Sequence, residues 1–252
     1  MTILEATILG IIQGFTEFLP ISSSGHLVLG QAILGIEQPG NEFEILVHLG
    51  TLASVLVIFF DDIKSLILSL ASKKTQIFIM YILIGTLPAV GIGLGFKDLI
   101  DSLFENVTAV GGALIFTGVV LFGSSFANRQ DKDHSFLTCI LIGCAQAMAI
   151  IPGVSRSGMT ISAALFLGLS AKEAARFSFL LAIPAIGGAG LLTALDVSGG
   201  FQMPIPVGLA GLISSFAVGV VALKWLLGWL EQGKFHYFGI YCFAVGLITL
   251  VV

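Results

Sequence analysis

The chain has 252 residues, of which 56% are hydrophobic and only 10% are charged, and its mean hydropathy is +1.05. A soluble domain carries about 25% charged residues, so this composition excludes an ordinary soluble protein and indicates an integral membrane protein. The formal net charge of −4 is small and does not indicate a nucleic-acid partner.

The chain begins with a region, residues 1–36, in which two short apolar arms flank the polar centre TEFLPISSSGHL. Each arm is too short to cross a bilayer alone, for which about 20 apolar residues are needed. The pattern is typical of a re-entrant helix hairpin, whose irregular tip is tolerated at membrane depth because it lines a cavity. Residues 136–169 form a second region of this kind. The runs that meet the length for a full span, or nearly so, are 42–60, 76–96, 106–126, 177–197, 205–227 and 235–252.

The two hairpins resemble each other at a constant offset of 133 residues, which indicates a duplicated unit. Three full spans separate them, and an odd number brings the second hairpin in from the opposite face of the membrane. We therefore predict one all-α membrane domain of six full spans and two re-entrant hairpins in an inverted-topology repeat, with the tips meeting near the midplane. Repeat one covers about 1–126 and repeat two about 134–252. The matching strings are GIIQ at 10–13 with GCAQ at 143–146, and ISSSG at 21–25 with VSRSG at 154–158.

The positive residues predict the orientation of the chain in the membrane. With the N-terminus outside, nine of the eleven Lys and Arg residues fall in inner loops, as the positive-inside rule expects. Of the other two, Lys97 falls outside and Arg156 lies in the second hairpin tip. We therefore expect both termini, and the mouth of the first hairpin, to face the exterior. The inner residues are Lys64, Lys73, Lys74, Arg129, Lys132, Lys172, Arg176, Lys224 and Lys234.

Glu17 is an ionisable residue at membrane depth, where it costs a few kcal/mol, so it is a functional candidate. The alternative is that it only pairs with Arg156. Gln13 lies one helical turn before Glu17 on the same face. Carboxylate and amide oxygens suit a hard divalent cation, Mg²⁺ or Ca²⁺, so Glu17 and Gln13 are candidate metal ligands.

Ser22, Ser23 and Ser24 precede an apolar helix, where serine is an ordinary N-cap but where a helix N-terminus also binds phosphate. His26 lies within one turn of them, and we expect its imidazole to reach the hydroxyl of Ser22 or Ser23 as acid or base. The alternative is that His26 only forms a hydrogen bond between helices. His48 is a single polar residue in an apolar helix, and packing and pocket lining both remain open for it.

Arg156 begins a helix in the second tip, and it needs an anionic partner at membrane depth because it cannot lose its charge. A phosphate held by its guanidinium fork and by serine hydroxyls meets that need better than one glutamate does. The two tips together suit phosphoryl transfer on a substrate anchored in the bilayer. The candidate substrate-binding residues are Gln13, Ser22, Ser24, Ser155, Ser157 and Thr160.

The segments QGFTEFLPISSSGHL and PGVSRSGMT resemble the two signature motifs of the bacterial undecaprenyl-diphosphate phosphatase family, which is associated with bacitracin resistance. FEILVHLGTLASV is similar to that family's segment after the first motif, and the resemblance runs from residue 1 to the C-terminus. It implies hydrolysis of undecaprenyl diphosphate to the monophosphate carrier lipid of cell-wall synthesis. It also implies a divalent cation and an active site at the outer side of the bacterial cytoplasmic (inner) membrane.

The resemblance also implies roles for individual residues. Gln13 and Glu17 occupy the family's Glu/Gln-x-x-x-Glu motif, and Arg156 occupies its Pro-Gly-x-Ser-Arg-Ser motif. Ser22, Ser23 and His26 occupy its serine–histidine segment. Some members have Glu in place of Gln13, which leaves Glu17 as the principal metal ligand or base. Ser23 is the expected nucleophile, with His26 as the rival nucleophile or the proton donor.

Other classes of protein share some of these features. A transporter or flippase of the prenyl phosphate lipid is the main alternative, because inverted repeats with broken helices are a transporter feature. Acid phosphatases of the soluble type also carry SGH and SR elements, but their Ser-Arg is followed after five residues by histidine, and residue 162 is Ser. A purely structural role is disfavoured by the cost of Glu17 and Arg156 at depth. The expected partners are the polyprenyl diphosphate and the bilayer, and a homodimer is left open.

Overall fold

The computed structural model describes residues 1–36, 41–104, 106–127, 131–196 and 203–251. Within these ranges the secondary structure is helical and no strand forms, so the predicted all-α class is confirmed. The helices are α1 (Ile3–Phe18), α2 (Ser23–Leu34), α3 (Asn41–Ile58), α4 (Phe60–Leu68), α5 (Lys73–Gly95), α6 (Lys97–Phe104), α7 (Val107–Gly123, followed by a 3₁₀ turn at Ser124–Phe126), α8 (Phe136–Met148), α9 (Arg156–Phe166), α10 (Ala171–Asp196), α11 (Ile205–Glu231) and α12 (Tyr237–Val251).

The first polar region forms two helices, α1 and α2, joined by a short turn. α1 ends before Pro20 because the helical region is sterically disfavoured for the residue that precedes a proline, and Leu19 is accordingly extended with φ −60° and ψ 138°. Ser22 caps the start of α2, and Gly35 ends that helix in the left-handed conformation that glycine adopts without strain. The local sequence thus determines where both helices of this pair begin and end.

The second polar region repeats this arrangement with α8 and α9. The hydroxyl of Ser135 accepts a hydrogen bond from the backbone N–H of Thr138 at 3.1 Å and caps α8. The turn between the helices needs Gly153, whose φ is 93°. Ser155 then caps α9. Both regions are therefore pairs of short helices with a polar turn between them.

Four helices in the described ranges are long and apolar enough to cross a membrane: α5, α7 with its 3₁₀ extension, α10 and α11. The pair α3 and α4 passes the same test jointly but is bent by 69°. The run at 235–252, predicted to be a sixth span, forms the 15-residue helix α12, which would rise only about 22 Å; residue 252 lies outside the described ranges. The chain is therefore a multi-pass membrane protein, and its described residues contain four such candidate spans, or five if the bent pair counts as one.

Small residues allow the helices to approach closely, as is usual in membranes. α1 and α3 pack on α11, and α8 packs on α5. α7 packs on α12 through two glycine pairs, Gly118 with Gly239 and Gly111 with Gly246. A methyl group added at Gly118 would lie 3.0 Å from the carbonyl oxygen of Gly239. The close approach of these helices therefore depends on residues without a side chain.

Aromatic packing fixes the end of α1. Phe18 is fully buried, and its ring lies 5.8 Å from that of Phe179 in α10. Phe59, at the bend between α3 and α4, lies 5.8 Å from the same ring. Since Phe18 directly follows Glu17, this cluster holds the last turn of α1 in a defined position beneath the first tip.

Candidate active site

The two polar tips contact each other. The backbone N–H of Gly153 donates to the hydroxyl of Ser22 at 3.1 Å. A methyl group at Gly25 would lie 3.2 Å from the Cα of Gly153, and one at Gly158 would lie 3.3 Å from the Cβ of Pro20. The tips are therefore packed against each other closely enough to form a single site.

Glu17 is the centre of this site, and its side chain is only 6% exposed. Its Oε1 accepts a hydrogen bond from Nη2 of Arg156 at 2.6 Å. Its Oε2 accepts one from the hydroxyl of Ser23 at 2.7 Å and one from the amide of Gln13 at 3.0 Å. The fold thus brings four of the predicted site residues together around one carboxylate.

Arg156 is the first residue of α9, and its side chain is 14% exposed. One of its terminal nitrogens, Nη2, is bound to Glu17. The other, Nη1, is buried and finds no hydrogen-bond partner in the described part of the chain. A buried guanidinium donor without an acceptor is costly, so this nitrogen is suited to an anion that enters the site.

The serines of the two tips divide into capping residues and one that faces the carboxylate. Ser22 and Ser155 are N-caps, accepting from the backbone N–H of Gly25 at 3.4 Å and of Gly158 at 3.1 Å. Their hydroxyls also lie 3.3 Å from those of Ser24 and Ser157, respectively. The ordinary capping interpretation thus holds for Ser22 and Ser155. Only the hydroxyl of Ser23, in this series, is bonded to Glu17.

His26 is placed differently from the expectation that its imidazole reaches a serine hydroxyl. Its Nδ1 lies 2.8 Å from the backbone oxygen of Ser22, and its Nε2 lies 2.8 Å from the hydroxyl of Tyr241. The backbone oxygen of Ser22 also accepts the backbone N–H of His26 at 3.2 Å, so the ring of residue i+4 shares this carbonyl with its own backbone, and α12 supplies the second partner of the ring. In this conformation His26 does not face the carboxylate of Glu17.

Thr160 also lies away from the carboxylate. Its buried hydroxyl donates to the backbone oxygen of Arg156 at 2.8 Å and lies 2.6 Å from the hydroxyl of Ser178. Thr160 therefore joins α9 to α10 behind the arginine.

Two further residues that the motifs do not include support the site. The hydroxyl of Thr117 in α7 accepts from the backbone N–H of Ser155 at 3.1 Å and donates to the carbonyl of Gly153 at 3.0 Å, so it holds the second tip. His48 lies at the site, since its Nε2 is 3.8 Å from Oε2 of Glu17. Each is a polar residue in an apolar helix; that pattern left pocket lining open for His48, and the same signal could have indicated Thr117.

The residues present fit a hard cation. Oε1 of Gln13 is buried and has no hydrogen-bond partner among the residues described, and Glu17 and Ser23 add further oxygens nearby. The described ranges hold no group of three or more His, Cys, Asp or Glu residues suited to a metal. This limited donor set matches Mg²⁺, which usually takes one or two protein carboxylates and completes its shell with water and substrate phosphates.

Comparison with known proteins gives consistent matches over the whole chain. The family described as bacitracin resistance protein BacA matches residues 6–248. A protein of Desulforapulum autotrophicum named undecaprenyl-diphosphatase is 39% identical over 274 residues, which cover 100% of this chain and 98% of that protein. A protein of the same name from Korarchaeum cryptofilum is 42% identical over 262 residues, covering 99% of both chains. Another, from Carboxydothermus hydrogenoformans, is 42% identical over 265 residues, covering 100% of this chain and 98% of the relative.

Proposed function

Because this chain belongs to the bacitracin resistance protein BacA family, we propose that it hydrolyses undecaprenyl diphosphate to undecaprenyl phosphate and inorganic phosphate. The prenyl tail stays in the lipid while the diphosphate enters between the two tips. The product is the carrier lipid of cell-wall synthesis, and its regeneration confers resistance to bacitracin.

One observation carries the proposal: a buried arginine nitrogen without a partner lies in the same cluster as a serine bonded to a carboxylate. Nη1 of Arg156 is available to an anion, while Nη2 stays within 2.6 Å of Glu17. The N-termini of α2 and α9 add backbone N–H groups and the positive ends of two helix dipoles. A phosphate at this point meets donors from both tips and a nucleophile from the first.

In the first step, the hydroxyl oxygen of Ser23 attacks the terminal phosphorus. The proton of Ser23 passes to Oε2 of Glu17, which accepts its hydrogen bond at 2.7 Å. The bond from phosphorus to the bridging oxygen breaks, and undecaprenyl phosphate leaves with the electron pair. Arg156 neutralises charge on the phosphoryl oxygens as the bond breaks.

In the second step, water attacks the phosphoserine. The bond between phosphorus and the oxygen of Ser23 breaks, and Glu17 returns the proton to that oxygen. Both protons of the water stay on the phosphate, which leaves as dihydrogen phosphate and releases one proton to solvent. His26, the rival nucleophile or proton donor, would first have to leave Tyr241 and the carbonyl of Ser22, so the geometry favours Ser23 as the nucleophile.

A divalent cation, Mg²⁺ or Ca²⁺, belongs to the proposal with Glu17 and Gln13 as its protein ligands. When bound, it would offset negative charge on the diphosphate. Its support in the structure is the unpartnered Oε1 of Gln13, one turn from the carboxylate of Glu17.

The inverted repeat of six spans and two re-entrant hairpins is also proposed, with repeats at about 1–126 and 134–252. The packing supports it. At the offset of 133 residues, α1 corresponds to α8 and α5 corresponds to α11. α1 packs on α11, and in the same way α8 packs on α5. α7 corresponds to α12, and these two helices pack on each other. In this arrangement the bent pair α3–α4 and the short α12 count as spans.

The proposed orientation places both termini and the active site at the exterior of the cytoplasmic membrane. Its support is the excess of Lys and Arg in the opposite loops. At that end, Arg176 pairs with Asp62 at 2.6 Å. A diphosphate lipid in the outer leaflet would then reach the first hairpin directly.

Phosphate release by the purified protein tests this function. The protein in detergent is mixed with undecaprenyl diphosphate, and inorganic phosphate is measured over time with and without protein. We expect release in proportion to protein concentration, and a stoichiometric yield of undecaprenyl phosphate. A folded protein that binds the lipid but releases no phosphate would contradict the proposal and favour the flippase alternative.

A further inference from the structure

Tyr241 of α12 contacts the first tip from a distance of 215 residues in sequence. Its hydroxyl lies 2.8 Å from Nε2 of His26, and the two rings are nearly parallel, with an interplanar angle of 17° and centroids 5.6 Å apart. Tyr241 is 44% exposed, so burial among the helices does not account for the position of its hydroxyl beside His26. The contact is instead a specific one between α12 and α2.

The other nitrogen of His26 shows what this contact holds in place. Nδ1 lies 2.8 Å from the backbone oxygen of Ser22, and it must donate because a carbonyl can only accept. With Nδ1 protonated, Nε2 of a neutral ring accepts from the hydroxyl of Tyr241. Tyr241 and Ser22 thus fix the ring from both sides, and His26 connects α12 to the backbone of the tip.

The backbone at Ser22 needs such support. Ser22 has φ 68°, a positive value that strains the backbone of a residue with a Cβ. The corresponding Ser155 in the second tip has an ordinary φ of −78°. The strained residue directly precedes Ser23, so its backbone conformation sets the direction in which the side chain of Ser23 points.

We propose that Tyr241 is a positioning residue for the reaction, and that it acts through His26 to hold the turn at Ser22 and so keep Ser23 against Glu17. The inference rests on the proposed function, and it assigns to His26 a positioning role in place of a chemical one. Loss of the Tyr241 hydroxyl loosens the turn and lowers the fraction of molecules in which Ser23 is aligned with Glu17. The phosphate donors on Arg156 are unaffected, so kcat falls while KM is retained.

A double-mutant cycle tests this. Phosphate release from undecaprenyl diphosphate is measured for wild type, Tyr241→Phe, His26→Asn and the double variant, all in the same detergent. We expect Tyr241→Phe to lower kcat roughly three- to tenfold with KM within about twofold of wild type. In the His26→Asn background, Tyr241→Phe should have almost no further effect, because the two residues act as one unit.

Tyr237→Phe is the matched control, since Tyr237 is also exposed on α12 but its ring lies beside His236, at 4.4 Å. We expect this variant to keep the wild-type kcat. Equal kcat for Tyr241→Phe and wild type, or independent effects of the two substitutions, would overturn the inference. Activity of His26→Asn far below that of Tyr241→Phe would assign His26 to the chemistry and overturn it as well. An inactive wild type would instead contradict the proposed function itself.

Discussion

Glu17 and Arg156 form a buried ion pair across 139 residues, with Nη2 of the arginine donating to Oε1 of the carboxylate at 2.6 Å. The pair joins the end of α1 to the start of α9, and hence the first tip to the second. The other carboxylate oxygen holds Ser23 at 2.7 Å. Glu17 therefore links the two tips and is at the same time placed to accept the proton of the nucleophile.

Substitution of Glu17 by Gln should remove most of the activity. The amide cannot accept the proton of Ser23 as a carboxylate does, and it leaves the guanidinium of Arg156 buried without its counter-charge. We expect the rate of phosphate release to fall at least about 100-fold. Thermal unfolding in detergent should also show destabilisation, by about 3 kcal/mol or more.

Glu5→Gln, on the same helix, is the control for that substitution. Glu5 belongs to the capping box at the start of α1, where glutamine is also accepted. We expect this variant to keep its activity and stability. An active Glu17→Gln enzyme would show that Glu17 is only a structural partner of Arg156.

Substitution of Arg156 by Lys should impair substrate binding although the charge is retained. Lysine is a point donor and cannot bind Glu17 through one nitrogen and a phosphate through the other. We expect KM for undecaprenyl diphosphate to rise about tenfold or more, with a lower kcat. Arg176→Lys tests the same change at the ion pair with Asp62 and should alter kcat/KM less than about threefold. Equal kinetics for the two variants would contradict the role given to Arg156.

The effect of a glycine-to-alanine substitution in α7 on stability should depend on whether that glycine contacts α12. A methyl group at Gly118 would lie 3.0 Å from the carbonyl of Gly239, whereas one at Gly112 meets nothing within 4 Å. We expect Gly118→Ala to lower the free energy of unfolding by about 1–3 kcal/mol and Gly112→Ala to leave it nearly unchanged. Thermal unfolding of both variants in detergent measures the difference. A similar loss in both variants would contradict the role given to close packing at Gly118, because alanine is the better helix former and helix propensity alone would raise stability.

The two pairs of short helices, α1 with α2 and α8 with α9, could be predicted from the sequence because helix ends are encoded locally. Pro20 and Gly153 interrupt the helices, and Ser22 and Ser155 cap the next ones. The shared offset of 133 residues also anticipated that these positions would correspond. Hydropathy predicted the runs that form α5, α7, α10 and α11. It did not predict the 69° bend after α3, because no proline stands at that point in the sequence.

The contacts within the site were only partly predictable. The cost of burying Glu17 and Arg156 alone raised their pairing only as the alternative to a functional role, and a phosphate was the preferred partner of Arg156. The placement of His26 was not accessible in the same way, because it depends on where α12 brings Tyr241. Proximity in sequence suggested that the ring would reach the hydroxyl of Ser22 or Ser23, whereas the helix directs it to the backbone oxygen of Ser22. Thr160 likewise faces Ser178, which only the packing of α9 on α10 determines.

The proposed cation can be tested by measuring the divalent-cation concentration that phosphate release requires. A chelator should remove phosphate release, and added Mg²⁺ or Ca²⁺ should restore it. Gln13→Ala removes the unpartnered oxygen beside Glu17, so we expect the half-saturating Mg²⁺ concentration to rise about tenfold. Gln146→Ala is the matched control, because Gln146 is the buried counterpart of Gln13 in the second hairpin but Ile150 stands where Glu17 does in the first. Full activity in chelator would remove the cation from the mechanism.

The central claim is that Ser23 attacks the terminal phosphorus, and the most direct measurement compares phosphate release by Ser23→Ala and Ser24→Ala. The two serines are adjacent at the start of α2, but only the hydroxyl of Ser23 is bonded to Glu17, whereas that of Ser24 lies 3.3 Å from the hydroxyl of Ser22. With undecaprenyl diphosphate in detergent, we expect Ser23→Ala to lose at least about 1,000-fold in kcat and Ser24→Ala less than about tenfold. A folded Ser23→Ala protein that releases phosphate at near the wild-type rate would contradict the account.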